Sequence, residues 1–368
     1  MKSKWEHKTL GDICVSELGK TLNQSKDTGT LRPYLCAINI QWDCLNLQDL
    51  KKARFEDDEL ERYSVQKGDL LVCEGGDVGR AALWERDEPM LYQNALHRIR
   101  FTGGCYPRFY LFCLRHLKNK GVLDSRFAKG VTIKHLVKSS LLSIPVPVPP
   151  LDEQQRIVAE LDLLTSVIDK RKMQLKELDT LAQSIFYDMF GDPIENPKGW
   201  DVKKLGDVCD LKAGKNIKAS ELRDDYEEGL YPCYGGNGIR GFIAKFSHQG
   251  TFPIIGRQGA LCGNVQLASG VFYATEHAVV CKPLIEFESH FLFFVLVAMN
   301  LNQYAQGVAQ PGLAVQNITP LPIIIPPLAL QQNFADKIQS IEKQKTAINQ
   351  SIAETQKLLD YTMDKYFG

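Results

Sequence analysis

Pro149-Pro150-Leu151-Asp152-Glu153-Gln154-Gln155 and Pro326-Pro327-Leu328-Ala329-Leu330-Gln331-Gln332 are two copies of one junction, and the fold is read outward from them. Proline fixes φ and restricts the residue before it, so each Pro-rich approach (Pro145 to Pro150, and Pro320 to Pro327) predicts an extended segment. A helix is expected to start where the prolines stop. Asp152, with Gln155 three residues on, has the spacing of a capping box; the second copy has Ala329 and Gln332, a weaker cap. Upstream, Ala128-x-Gly130-Val131 matches Ala305-x-Gly307-Val308, Leu136 matches Leu313, and Pro145 matches Pro322. Both copies close on Phe-Gly, at Phe190-Gly191 and Phe367-Gly368, so residues 128–191 align with 305–368 without a gap.

Downstream of each junction apolar residues recur in heptads. In the first copy Leu161, Ile168, Leu175, Ala182 and Met189 share one position, and Leu164, Leu178 and Ile185 the other. In the second, Ile338, Ile352, Leu359 and Tyr366 stand with Ile341 and Ile348. Arg171 interrupts the first seam and Lys345 the second, where long stems can cover apolar surface while the charge reaches water. So narrow a seam wants a coiled-coil partner, and the other copy is the nearest. Each helix of about 40 residues would be on the order of 60 Å long, enough to hold two globules well apart.

A second match opens each half: Trp5-x-x-Lys8-x-Leu10-Gly11-Asp12-x-Cys14 recurs as Trp200-x-x-Lys203-x-Leu205-Gly206-Asp207-x-Cys209. Between these markers the halves diverge. The order is a globule (1–150), a spacer helix (151–191), a second globule (192–327) and a second spacer (328–368), the mark of a duplicated domain-plus-helix module. The globules read as mixed α/β, with Gly-rich turns between short apolar strands.

The chain has 368 residues, 44% hydrophobic and 24% charged, as in an ordinary soluble globular protein. Its 44 basic and 44 acidic side chains cancel, which counts against tight DNA binding by the chain alone but allows a local basic groove. The polar N-terminus lacks a signal-peptide core, and the run Phe291–Met299 is too short to span a bilayer, so no membrane association is expected. Ten cysteines without a C-x-x-C pair suggest reduced, buried thiols rather than a metal site or disulfides. Gly19-Lys20-Thr21 resembles the tail of a phosphate loop, but its first glycine is misplaced and the second copy reads Gly214-Lys215-Asn216. No catalytic signature of a hydrolase, zinc protease or amino-methyltransferase occurs.

These features together resemble the Type I restriction–modification specificity subunit family. The resemblance is carried by the two Trp-x-x-Lys-x-Leu-Gly-Asp starts, Gly76-Asp77-Val78-Gly79-Arg80, and Tyr234-Gly235-Gly236-Asn237-Gly238-Ile239-Arg240-Gly241. Gly256-Arg257-x-Gly259, Ala274-Thr275-Glu276-His277 and the two Pro-Pro-Leu-x-x-Gln-Gln junctions complete it, over essentially the whole chain. It implies an α+β fold: two mixed α/β target-recognition domains joined by two long helices in an antiparallel coiled coil, a pseudo-two-fold internal repeat. It implies that each domain reads half of a split, asymmetric double-stranded DNA site and that this chain is not an enzyme. Two methyltransferase subunits would carry S-adenosylmethionine, and restriction subunits, where present, ATP and Mg. The first globule has no clear copy of Tyr-Gly-Gly-Asn-Gly, so its recognition loops cannot be mapped from the second. A single-chain methyltransferase or nuclease, and a coiled-coil scaffold that never touches DNA, are the competing readings.

Arg, Asn, Gln and His can hydrogen-bond base edges, though Gly-rich loops serve equally well as tight turns with solvated charges. The DNA-contact candidates are Arg80, Asn94, His97 and Arg98 in the first globule, and Asn237, Arg240, Arg257, Gln258 and His277 in the second. Lys20, Lys129 and Lys215 are phosphate candidates, since lysine positions more than it specifies. Leu161, Leu164, Ile168, Leu175, Leu178, Ile338, Ile341, Ile348 and Ile352 are the spacer and partner-docking candidates.

Overall fold

A computed structural model describes residues 5–23, 25, 27–130, 134–259, 261–307 and 311–368. Val131 and Val308, which fall within the repeated motif above, lie outside the described residues. The chain divides into two compact units: residues 1–170 with 351–368, and residues 171–350.

Each unit repeats one plan. In the first, a four-stranded antiparallel sheet runs in the order Cys14–Leu18, Leu96–Phe101, Leu70–Cys73, Ala81–Leu83. A second sheet runs Lys51–Phe55, Thr30–Leu35, Met90–Tyr92, Ser64–Val65, with its middle pair parallel. The second unit has Cys209–Ala213, Ala278–Pro283, Phe252–Gly256, Val265–Ala268, then Gly238–Ile243, Tyr231–Gly235, Val271–Ala274, His248–Gln249, again with one parallel middle pair. In both units the extended Pro-rich approach pairs with the strand that opens the half: His7–Thr9 with Pro145–Pro147, and Asp201–Lys204 with Pro322–Ile325. Leu70, Leu71, Val72 and Cys73 are all fully buried, as a central strand covered on both faces requires.

The long helices span Leu151–Phe190 and Leu328–Phe367. Residues 151–170 of the first and 351–367 of the second pack in the first unit, where Ile157, Val158, Leu161 and Ile168 share a core with Leu359, Met363 and Tyr366. The remaining segments pack in the second unit, with Ala182, Phe186 and Phe190 beside Phe334, Ile338 and Ile341. Within the second unit the numbering rises along one helix as it falls along the other: Lys345 pairs with Asp179 (2.9 Å) and the Phe334 ring centroid lies 5.4 Å from that of Phe190, so the packing is antiparallel. Leu164, Leu175, Leu178, Ile348 and Ile352 are half-buried on the same seam. Lys345 reaches out of that seam to Asp179 and Glu342. Burial lowers its pKa, and the two carboxylates more than offset this.

The helix start corrects the capping expectation. Asp152 lies inside the first turn, and the first glutamine after it does the anchoring instead. Gln154 is fully buried: its Oε1 accepts from Tyr106 N (2.8 Å), and its Nε2 donates to Pro149 O (2.8 Å) and Gly104 O (3.0 Å). Gln331 does the same with Glu288 N (3.0 Å) and Pro326 O (2.8 Å). A buried amide with its polar atoms satisfied fixes where each helix leaves its globule.

Candidate nucleic-acid interface

The shared Gly-Lys pair follows the first strand of each main sheet. Gly19 and Gly214 run so close to the neighbouring backbone, at Gln93 and Ala274, that a Cβ on either would overlap it. Main-chain hydrogen bonds then assemble the same frame in both units. Lys20 N donates to Tyr92 O (3.1 Å) and Lys215 N to Ala274 O (3.1 Å). Gln93 N donates to Leu35 O (3.0 Å) and Thr275 N to Tyr234 O (2.9 Å). Glu74 N donates to Ala95 O (2.9 Å) and Arg257 N to His277 O (3.0 Å). Leu136 N donates to Glu74 O (2.7 Å) and Leu313 N to Arg257 O (2.8 Å). Four loops thus meet at one place in each unit, and the bonds pair their residues: Ala37 with Gly236, Glu74 with Arg257, Gln93 to Ala95 with Thr275 to His277, and Lys129 with Gln306.

In the second unit this place gathers most of the expected residues. Lys215, Asn237, Arg240 and Gln258 are exposed, and Arg257 and His277 are half-buried. Gly256 crosses Gly236 at van der Waals distance, leaving no room for a side chain. Arg240 lies across Gly235 on the hairpin that carries Asn237. Arg257 directs Nη1 toward Glu276 O (3.4 Å), while its buried Nε has no protein partner among the described residues. His277 Nε2 lies 3.2 Å from Glu276. The patch thus offers two guanidinium groups, two amides and an imidazole, a set able to donate to base edges and phosphates.

The first unit uses several of its candidates internally. Lys20 is 6% exposed; its Nζ donates to Glu59 (2.6 Å) and to Arg54 O (2.9 Å) and lies 3.6 Å from Asp27. Burial pulls the ammonium pKa down, but Glu59 and Asp27 raise it beyond its ordinary value. His97 is fully buried, its Nε2 2.7 Å from Leu136 O, and burial holds the ring's pKa below the usual one. Arg98 is 8% exposed and donates to Ser64 O (2.7 Å) and Arg62 O (3.2 Å). Lys20, His97 and Arg98 are therefore withdrawn from the contact set, because the domain buries them and engages Lys20 Nζ, His97 Nε2 and Arg98 Nη1 itself. Arg80 is half-buried and donates to Ala37 O (2.8 Å), which holds one loop onto another. Asn94 and Lys129 are exposed, and Asn94 donates to Thr21 Oγ1 (3.0 Å).

Glu74 and His135 also belong to this frame, though neither stood out in the sequence. Glu74 lies in the diverged stretch, where only the shared main-chain bonds reveal its counterpart. His135 aligns with Gly312, as their bonds to Lys129 and Gln306 show, and its ring closes over Gly75.

Comparison with known proteins gives the fold and site a context. Residues 2–179 and 197–357 match the family model described as the Type I restriction modification DNA specificity domain. The EcoprrI Type I restriction enzyme specificity subunit of Escherichia coli is 37% identical over 252 residues, 66% of this chain and 62% of that subunit. The match therefore spans less than two thirds of that relative's length. The crystal structure of the Type I restriction–modification S subunit from M. genitalium superposes with a TM-score of 0.63 at 15% identity, covering 100% of this chain and 97% of the other. A chain from a structure describing complex assembly and conformational transition of the type I R-M system gives 0.60 at 19% identity, covering 100% and 98%. At these identities the two structural likenesses speak for the fold. Among the described residues no helix is long and apolar enough to cross a membrane.

Proposed function

The chain belongs to the Type I restriction–modification DNA specificity family, and from that premise we propose that it gives sequence choice to a methyltransferase assembly in the cytoplasm. Each unit reads one half of a split, asymmetric site in double-stranded DNA. The chain does no chemistry itself. Two methyltransferase subunits supply S-adenosylmethionine and the methyl transfer, and restriction subunits, where they join, supply ATP- and Mg-dependent cleavage.

The observation that carries this reading is one hydrogen-bonded loop frame built twice with its outward side chains exchanged. Glu74 stands where the other unit has Arg257, and Ala95 where it has His277; the paired Gln93 and Thr275 differ as well, with Thr275 turned into the fold. A frame that keeps its bonds while changing its side chains suits a reader whose targets differ between halves. The balanced charge supports a subunit that shares phosphate contacts with partners, since phosphate neutralisation dominates DNA affinity.

Single-molecule sequencing of DNA from a host with and without the gene tests the reading. Bipartite adenine methylation that disappears with the gene is expected; an unchanged pattern overturns it. Methyl incorporation by the purified chain alone would instead make it an enzyme. By linkage, DNA affinity should rise sharply when the methyltransferase partners are added, and specific duplex should then outcompete scrambled duplex at a fixed salt concentration.

A further inference from the structure

We infer that Glu74 is the residue through which the first unit selects a cytosine, at the position where Arg257 of the second unit selects a guanine; this rests on the DNA-reading function proposed above. Each residue directly follows the central strand of its main sheet, Leu70–Cys73 or Phe252–Gly256. In each, the N–H donates to the loop after the third strand of the second sheet, and the C=O accepts from the equivalent leucine, Leu136 or Leu313. The backbone is thus held from both sides at the same place in both units, and only the side chain differs.

That difference inverts the charge. Among the described residues the half-buried Glu74 carboxylate has no ion pair and no side-chain hydrogen bond, and its charge acts on the buried His97 ring only through space. A carboxylate at the centre of a DNA-facing patch is repelled by phosphate, and the base-edge group it accepts from well is the N4 amino group of cytosine. It also disfavours guanine, whose O6 and N7 are both acceptors, so it rejects as well as selects. Arg257, with a guanidinium that its own domain satisfies only in part, has the donor fork that fits guanine O6 and N7. Both positions then read a G·C pair, one through its cytosine and the other through its guanine.

The test uses the full chain in complex with its methyltransferase subunits and reads the methylated motif by single-molecule sequencing. Glu74→Gln keeps the shape but offers a donor and an acceptor, which suits adenine N6 and N7. The expected result is a first half-site that loses its requirement for cytosine at one position and gains adenine there. Methylation at the original site should fall roughly 10- to 100-fold. The second half-site should stay unchanged, which also shows that the chain is folded. Arg257→Gln should shift one guanine in the second half-site and nothing in the first. A change in base identity at one position is a readout that loss of a structural contact would not produce. If the wild-type complex yields a bipartite motif and Glu74→Gln leaves every position of it intact, the inference falls and the DNA-reading function stands. If the wild-type complex yields no bipartite motif, both fall.

Discussion

Lys20 and Lys215 occupy the same position in the two units, bonded through the same backbone atoms, yet one is 6% exposed and the other lies in solvent. Their substitutions should therefore fail in opposite ways. Lys20→Ala leaves Glu59 and Asp27 without their cation and should cost about 1–3 kcal/mol of stability, discounted for the partial exposure of Glu59. It should leave the DNA motif alone. Lys215→Ala should leave stability within about 0.5 kcal/mol, weaken DNA binding evenly across sequences and lower the salt slope by about one. Denaturant titration and binding at several salt concentrations separate the two; a DNA effect from Lys20→Ala without loss of stability would overturn the burial argument. The Gly-Lys motif was visible in the sequence, but the fate of its lysine was not. That fate is set by Glu59, 39 residues further along the chain, and by Asp27.

Among the elements, the two long helices and their junctions were the most legible parts of the chain, because a heptad seam and a proline stop are local signals. What anchors them was not legible. Capping rules look three residues along the chain, whereas the partners of Gln154, Tyr106 and Gly104, lie about 50 residues upstream. Gln154→Leu should strand a backbone N–H and two carbonyls at a cost of about 2–4 kcal/mol, and Gln331→Leu somewhat less, with one N–H and one carbonyl. Asp152→Ala, the change that a capping box at that position would punish, should cost no more than about 0.5 kcal/mol. Urea unfolding of the three variants ranks them; a larger loss from Asp152→Ala than from Gln154→Leu would restore the cap. The recognition loops were legible in the second globule, where glycines mark the close crossing at Gly236 and Gly256. They were hidden in the first, where Ala37 and its bond from Arg80 take that place.

For the molecule as a whole, acid is expected to act on both units, through His97 and His116 in the first and His248 in the second. Burial holds His97 and His116 below the usual imidazole pKa, opposed by the Leu136 carbonyl for one and by Asp364 for the other. The unfolded imidazoles take up protons near pH 6.5 while the folded ones stay neutral, so stability is fully present above that value. It declines as the pH falls from there through the lowered folded values. Calorimetry from pH 7.5 to 5.5 should show a falling Tm, with a shallower slope in a His97→Gln/His116→Gln variant; an equal slope would place the titration elsewhere. Ending the chain at residue 350 should damage the first unit, since Leu359, Met363 and Tyr366 are buried in its core. Limited proteolysis should then cut within 1–170 and spare 171–350; the reverse would contradict the division of the chain. The same division sets an order of events during synthesis. Every residue of the second unit has been made once position 350 is reached, but the first unit, begun earlier, lacks a wall until the next eighteen residues follow. At about 5–20 residues per second, the apolar stripe at Ile157, Leu161 and Ile168 waits on the order of 10–40 s at the ribosome for Leu359 and Met363. For that interval the nascent chain carries an uncovered surface of the kind that chaperones bind.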